Sequence, residues 1–292
     1  LTIRGAGAGA TVVNGGAAGL VFFLYGVSNT IVLEDMSIMG GNAIDGGGVL
    51  CVAANASLIR CAIGLNYSDE FGGGARNHYG TLRLVQCRVL GNHARKAGGG
   101  VYGARLESCL VAFNEATNGT GGGVAACDLF NCTVASNRAA VAGGSADGAA
   151  WNSIVFFNES ADSATLNYQA TRFTDSCATP LPDGVGNIDS SPIFVDLIGF
   201  EPFITSPTIN RGRPEWVFEP FDLNGADRLQ DDLPDMGAVE FVSWFVPARI
   251  PVFSGSLDFG LVAAGSVVTQ SLWLVNRGNA VRNVAGFTAP DG

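Results

Sequence analysis

The sequence predicts an all-β protein built as a parallel β-helix, and three observations carry that prediction. A glycine-rich unit recurs along the chain, each copy closes with an asparagine, and each copy holds two short runs of alternating apolar and polar residues. The clearest copy is GGGVYGARLESCLVAFN, from Gly98 to Asn114. A recurring unit of this length is typical of a solenoid in which one repeat makes one turn of chain.

The spacing of the repeats sets a register between turns. The closing asparagines step by 26, 22, 23 and 21 residues, and four of the residues five positions before them are cysteines. The asparagines are Asn66, Asn92, Asn114, Asn137 and Asn158, and the earlier residues are Cys61, Cys87, Cys109, Cys132 and Ser153. In stacked turns each set becomes a column, and we expect Met36 and Cys177 to extend the cysteine column at its two ends. Stacked side chains point the same way, which favours free buried thiols over a disulfide ladder.

Short strands explain these units better than helices do. No unit holds the run of roughly 10 to 12 uninterrupted residues that a helix needs, and each glycine would weaken a helix by about 1 kcal/mol. Strands stacked in parallel about 4.8 Å apart fit the pattern. The asparagines then lie at bends, and the glycines allow backbone angles and close approaches that a Cβ would prevent.

Composition excludes several classes of partner. The net charge is −10, charged residues make up only 14% of the 292 residues, and Lys96 is the one lysine. This balance argues against nucleic acid and against anionic membrane surfaces. No segment reaches the roughly 18 apolar residues of a membrane span, so we expect no membrane insertion.

The first part of the chain resembles a known family. The stretches LTIRGAGAGATVVNGG and VLEDMSIMGGNA, followed by the repeated glycine-rich units, are similar to bacterial right-handed β-helix repeat proteins of the pectate-lyase-like superfamily, including the polymorphic outer-membrane type. The resemblance covers residues 1–200 and implies a right-handed parallel β-helix there. It leaves the activity open, because the superfamily contains lyases, hydrolases and adhesins.

Two further resemblances concern the rest of the chain. The motifs GNIDSSPIFVD, SPTINRG and FDLNGADRLQDDLPDMGAVEF are similar to the ending of choice-of-anchor Q proteins, although Asn210 and Met236 replace the Asp and Ile usual in that family. The stretch from Ser256 to Val284 resembles the first strands of an immunoglobulin-like module of the choice-of-anchor D or flagellar-associated type. We therefore expect three parts: a β-helix over 1–200, a C-terminal cap over 201–246 and an incomplete β-sandwich over 247–292. The resemblance implies an extracellular or bacterial cell-surface protein. Because the sequence begins inside a strand pattern and stops partway through another set of strands, we expect the chain to be a fragment.

One cluster of residues offers the chemistry of the related lyases, in which Arg, Lys, His or Tyr abstracts a proton. Stacking Asn66 on Asn92 places Tyr67 over His93, Asp69 over Arg95 and Glu70 over Lys96, while a longer turn after Gly74 supplies three more residues. The catalytic candidates are His78, His93, Arg95 and Lys96, and the binding candidates are Tyr67, Asp69, Glu70, Arg76 and Tyr79. The plainer interpretation is a set of exposed salt pairs between turns, each worth about 0 to 1 kcal/mol. Charges of alternating sign continue in the following turns, where an asparagine of the column is followed by Glu115, Arg138 and Glu159 in turn.

The stretch FDLNGADR raises the question of a metal site. Asp222, Asn224 and Asp227 have spacings like those of calcium loops, but the full series of ligands is incomplete. We expect a capping turn instead, in which Arg228 pairs with Asp235 or Glu240, and we predict no metal and no cofactor.

Two functions remain after this reading. The first is a secreted or cell-surface scaffold, non-enzymatic, that serves adhesion or glycan binding and has polysaccharides or other surface proteins as partners. The alternative is a polysaccharide lyase or glycoside hydrolase that acts on an acidic glycan in a groove of the β-helix.

Overall fold

The fold is a parallel β-solenoid of about seven turns, as the sequence predicts. A computed structural model describes residues 1–26, 30–229 and 232–242. Every pairing between its strands is parallel, and the only helices in these residues are two single 3₁₀ turns, Ser163–Thr165 and Pro214–Trp216. The predicted immunoglobulin-like module falls outside the described residues.

Four parallel sheets, named A to D here, run along the solenoid. Sheet A contains the strands Thr2–Arg4, Thr30–Glu34, Asn55–Ile59, Thr81–Val85, Arg105–Glu107, Asp128–Phe130, Ala149–Trp151 and Arg172–Thr174. Sheet B contains Val12–Asn14, Ser37–Met39, Ala62–Gly64, Arg88–Leu90, Leu110–Ala112, Thr133–Ala135, Ile154–Phe156 and Cys177–Ala178. Sheet C contains Phe22–Tyr25, Val49–Val52, Ala75–His78, Val101–Tyr102, Val124–Ala125, Ser145–Ala146 and Tyr168–Gln169. Sheet D contains Asn42–Ala43, Tyr67–Ser68, His93–Ala94, Glu115–Thr120, Arg138–Val141 and Glu159–Ser160.

Each full turn passes through sheets A, B, D and C in that order. A residue with positive φ bends the chain at the corners, except at the D-to-C corner between Ser160 and Tyr168. The D-to-C corner explains the glycine triplets. Gly98 has a φ of 64°, and a Cβ on it would lie 2.4 Å from the carbonyl oxygen of Val101. Gly99 lacks room for a different reason, because a Cβ there would lie 2.3 Å from the carbonyl oxygen of Gly122 in the next turn.

The core is a set of columns, and the predicted cysteine column is one of them. The backbone N–H of Cys61, Cys87 and Cys109 each lies 3.4–3.5 Å from the sulfur of the next cysteine along the column. All seven cysteines are free and buried. The prediction that Cys177 ends the column is wrong by one residue: Ser153 N–H donates to Ser176 Oγ at 3.0 Å, so the serine occupies that place.

The asparagine column is confirmed and is longer than predicted. Asn114 shows its bonding: its Oδ1 accepts from both the N–H and the Nδ2 of Asn92, and its Nδ2 donates to the Oδ1 of Asn137. The same pattern continues through Asn158 to Asn167, which lies only 9 residues further on and breaks the repeat spacing. These side chains satisfy buried backbone donors that the bend would otherwise leave unpaired.

After the last turn the chain closes that end of the solenoid and then runs back along its side. Ile188 forms a parallel bridge with Cys177, and Asn187 accepts from the N–H of Ser176. The described residues of 191–242, called the return segment below, then pack against the A-to-B corner. Leu1–Phe241 form one compact unit, so the return segment belongs with the solenoid.

A buried arginine fixes the return segment, as the sequence predicts for the FDLNGADR stretch. Arg228 is completely buried and donates to Glu240 at 2.6 Å and to Ser108 of the solenoid at 3.1 Å. Asp222 is a capping residue, since its oxygens accept from the N–H groups of Asn224 and Ala226, each at 2.8 Å. No helix in the described part of the chain is long and apolar enough to cross a bilayer.

Candidate functional site

The structure places Tyr67 over His93, as the asparagine register predicts. The two residues pair in sheet D, and their rings stack with centroids 5.1 Å apart and planes 14° apart. Burial and the hydrogen bond that the Tyr67 hydroxyl donates to Asp69 at 3.0 Å both raise the pKa of Tyr67. A phenol with a raised pKa remains protonated, which makes Tyr67 a poor general base.

The predicted charge pairs between turns are also present. Arg95 Nη1 lies 3.6 Å from Asp69 Oδ1, and the Lys96 ammonium contacts the Glu70 carboxylate directly. The Arg95 and Lys96 side chains are 55% and 54% exposed. Ion pairs this exposed contribute about 0 to 1 kcal/mol each, so they organise the surface more than they stabilise the fold.

One outward row of sheet D carries alternating groups along several turns. His93 pairs with Glu115, Glu115 with Arg138 and Arg138 with Glu159, as the sequence predicts. His93 Nδ1 lies 3.5 Å from Glu115 Oε2, and its Nε2 lies 3.4 Å from Thr117 Oγ1. Both ring nitrogens of His93 therefore face side chains of the next turn.

The remaining candidates lie on sheet C rather than on the predicted longer turn. Arg76 and His78 belong to the strand Ala75–His78, and Tyr79 follows it at the C-to-A corner with 86% of its surface exposed. Arg76 and His78 are alternate residues of this strand, so their side chains lie on the same face of sheet C. Arg76 Nη2 lies 3.3 Å from His78 Nδ1, and the rings of His78 and Tyr79 meet edge-on at 3.9 Å.

A nearly buried arginine links these residues to the sheet D group. The Arg76 guanidinium pairs with Asp45 and lies 4.7 Å from the centroid of the Phe71 ring, and burial lowers its pKa. Lys96 approaches the same Phe71 ring at 5.6 Å. Phe71 thus stands between the two parts of the predicted cluster, on the D-to-C corner.

The assembled surface, called the D–C face below, joins aromatic rings to charges that neutralise one another. Its members are Tyr67, Asp69, Glu70, Phe71, Arg76, His78, Tyr79, His93, Arg95 and Lys96. The structure brings the predicted residues onto two sheets and the corner between them, apart from Tyr79 at the C-to-A corner, and the two histidines lie on different sheets. Flat rings beside hydrogen-bonding groups can hold an amphipathic ligand.

Sequence reasoning missed a structural surface, the A-to-B corner that holds the return segment. Gln86 donates to the carbonyl of Asp222 at 2.7 Å, Asn131 to Trp216 at 2.9 Å, and Asn152 to Arg213 at 2.8 Å. The signal was present in the sequence. The residue directly before each member of the cysteine column is polar: Arg60, Gln86, Ser108, Asn131, Asn152 and Asp175.

An ion-pair cluster on sheet A adds to this attachment. Glu107, almost fully buried, accepts from Arg83 and from Arg105, and Glu219 of the return segment contacts Arg83 as well. The Arg105 guanidinium lies between the rings of Phe130 and Phe218, at 4.3 and 4.4 Å. These contacts tie the return segment to the solenoid wall.

The fold and the D–C face define a class, a parallel β-solenoid repeat protein with an aromatic and charged lateral face. Among the described residues no three His, Cys, Asp or Glu side chains are placed to hold a metal ion. No family model, no curated protein and no solved structure matches the chain.

Proposed function

We propose that the chain is the rigid body of a secreted or cell-surface protein, that it is non-enzymatic, and that it serves adhesion through glycan binding at the D–C face. One observation carries the proposal. In this face, groups of the types that could catalyse proton transfer are instead paired with each other, and the ring of Tyr79 is 86% exposed.

The solenoid supports a display role through its rigidity. Turns stack in register, and buried asparagines bond each turn to the next along the column. Such a body holds its outer rows at fixed spacing, which suits repeated contacts with a polymer or a partner surface. The resemblance to adhesins and anchored surface proteins adds support for an extracellular location.

The rings of the D–C face support a sugar as the ligand. Tyr79 is largely exposed, and Tyr67 stacks on His93 in sheet D, so one face of each of these two rings is already covered by the other. The apolar face of a sugar ring packs on aromatic rings, while Asp69 and Arg95 beside them can bond hydroxyl groups. The net charge of −10 favours a neutral polysaccharide over an acidic one.

A binding panel of neutral and acidic polysaccharides tests the proposal, read by calorimetry on the whole chain. Tyr67→Ala and Tyr79→Ala should weaken binding by about tenfold or more, a loss of about 1.4 kcal/mol. Phe221→Ala is the control, because Phe221 is a 47% exposed aromatic residue of the return segment and lies outside the D–C face. Equal losses in all three variants, or no binding to any glycan, would refute the assignment.

The enzymatic alternative, a polysaccharide lyase or glycoside hydrolase acting on an acidic glycan, draws support from one contact. The His78 imidazole lies against the Arg76 guanidinium and the Tyr79 ring, residue types that the related lyases use. The same panel, read for unsaturated uronate and for new reducing ends, distinguishes the two functions. Product that disappears in His78→Ala, His93→Ala and Lys96→Ala would establish the enzyme.

A further inference from the structure

The return segment carries a hairpin that is apolar on both of its faces. Phe194 and Pro202 form an antiparallel bridge, Val195 N–H donates to the carbonyl of Glu201, and Phe203 N–H donates to the carbonyl of Ile193. Residues of even and odd number therefore face opposite sides of the 193–203 hairpin. A hairpin with one face on a core is normally polar on the other face.

The inner face is anchored on the solenoid. Phe200 is 1% exposed and packs with Leu110 and Ala135 of sheet B. Phe194 contacts Phe200 and the solenoid residue Phe157, with ring centroids 5.3 and 6.2 Å apart. These contacts of Phe194 and Phe200 hold the hairpin in a fixed position.

The outer face has no such cover in the described part of the chain. Ile193 is 44% exposed, Val195 60% and Phe203 45%, and Glu201 is the one charged residue among them. The tip extends this surface with Leu197 at 54% and Ile198 at 79%, and Ile204 adds a further 46% exposed side chain. Apolar surface that is continuous and rimmed by polar groups marks an interaction site on a soluble protein.

The charges of the hairpin indicate which kind of partner can bind to its outer face. The 193–203 hairpin carries two carboxylates, Asp196 and Glu201, and no lysine or arginine. Hydrogen bonds from the N–H groups of Gly199 and Ile198 hold the pKa of Asp196, at the hairpin tip, below its usual range, so this residue stays charged. Glu201 accepts from Asn224, which in turn accepts from Arg88.

These charges disfavour two of the possible occupants. A second copy of the chain would bring the same carboxylates and a net charge of −10 to the contact. An anionic lipid surface would be repelled in the same way. A partner with apolar side chains and positive charges matches both the apolar outer face and the carboxylates of the hairpin. Sugars bind on flat aromatic rings, whereas this face is mostly aliphatic and therefore suits a polypeptide better.

We propose that the outer face of the 193–203 hairpin is a docking site for a basic, apolar segment of another protein. The site is separate from the D–C face and does not depend on the glycan proposal. Val195, Phe203 and Leu197 make the apolar contact, while Asp196 and Glu201 set the sign of the charge that is accepted.

A peptide of alternating leucine and lysine is the probe, and a peptide of alternating leucine and glutamate is its control. The full chain should bind the lysine peptide with an affinity that falls as salt is added, and it should not bind the glutamate peptide. Val195→Ser and Phe203→Ser should each weaken binding by about tenfold, a loss of about 1.4 kcal/mol. Phe23→Ser is the matched control, because Phe23 is a 60% exposed phenylalanine on sheet C.

Three results would overturn the proposal. The first is an absence of binding to the lysine peptide, or a loss of binding in Phe23→Ser equal to that in Phe203→Ser. The second is self-association in sedimentation that Phe203→Ser abolishes, which would assign the face to a second copy. The third is binding to uncharged phosphatidylcholine vesicles that Ile198→Ser abolishes, which would assign it to a lipid surface.

Discussion

Replacing Asn114 by alanine is the sharpest test of how the solenoid is held together. Asn114 is 1% exposed and lies in the middle of the asparagine ladder. Its side chain accepts from the N–H and Nδ2 of Asn92 and donates to Val89, Ala112 and Asn137, all at 2.9–3.0 Å. The Asn114→Ala variant loses all five contacts and leaves the buried N–H of Asn92 without an acceptor.

The cost follows from the groups left unsatisfied. Asn92 Nδ2 still donates to Ile63, and Asn137 Oδ1 still accepts from the Asn114 N–H, so these atoms keep one partner each. The Asn92 N–H is left without an acceptor, which costs roughly 1–3 kcal/mol, and the lost bonds to the Val89 and Ala112 carbonyls add about 1 kcal/mol each. We expect a loss of about 3 to 5 kcal/mol, which lowers the melting temperature of a unit this size by roughly 6 to 20 °C.

Thermal and urea unfolding followed by circular dichroism measure this loss. Asn118→Ala is the matched control, since Asn118 is an exposed asparagine four residues further on. The Asn118 change should shift stability by less than about 0.5 kcal/mol. If Asn114→Ala lowers the free energy of unfolding no more than Asn118→Ala does, the asparagine column does not stabilise the fold and the reasoning is refuted.

Three further predictions follow from buried groups. Burial alone would raise the pKa of Glu107, but hydrogen bonds from Arg83 hold it below its usual range. The stability that the Glu107–Arg83 ion pair contributes is therefore present at neutral pH and lost as pH falls below about 4.5. Glu107→Gln should reduce this loss of stability at acid pH, measured by unfolding at a series of pH values. Arg228→Met removes the partner of Glu240, whose pKa burial already raises to about 8. The variant should lose about 3 to 5 kcal/mol of unfolding free energy. This loss should grow as pH rises from neutral, and an equal loss at every pH would contradict the prediction. Burial raises the pKa of Cys109, so it should react with a thiol reagent only at the rate of unfolding, and a rapid reaction in the native protein would contradict the buried column.

The repeat register could be predicted because each turn is specified by several columns at once. Glycine is required at the D-to-C corner, asparagine at the bend into sheet D and a small residue before sheet B, so a one-residue slip would violate all three. This is why the pairs Tyr67–His93 and Glu70–Lys96 follow from the sequence alone.

The errors arose where a column changed its residue type or its spacing. Ser176 replaces cysteine in the column, and the true cysteine lies one residue later, so residue identity misled the register at that turn. Asn167 was missed because only 9 residues separate it from Asn158. Arg76 and His78 were assigned to a turn because glycines precede them, whereas sheet C begins immediately after Gly74.

Function could not be predicted from the D–C face for a physical reason. Stacking in register brings unlike charges together wherever they alternate, and such pairs form with or without a ligand. Lys96 with Glu70, or Arg95 with Asp69, would look the same on a scaffold and in a binding groove. Only the ring of Tyr79, which is 86% exposed, adds information about a ligand.

The return segment changes how the turns should unfold. A simple solenoid couples each turn only to its neighbours. Here one continuous segment bonds to Gln86, Asn131 and Asn152, which lie in different turns, so losing the segment weakens all of these turns together.

We therefore expect hydrogen exchange to show one cooperative unit across these turns. Residues 1–60, where Arg60 pairs with Asp35 instead of the return segment, should open at lower free energy, and Arg228→Met should remove the difference. Uniform protection along the whole solenoid in the unaltered chain would contradict this coupling.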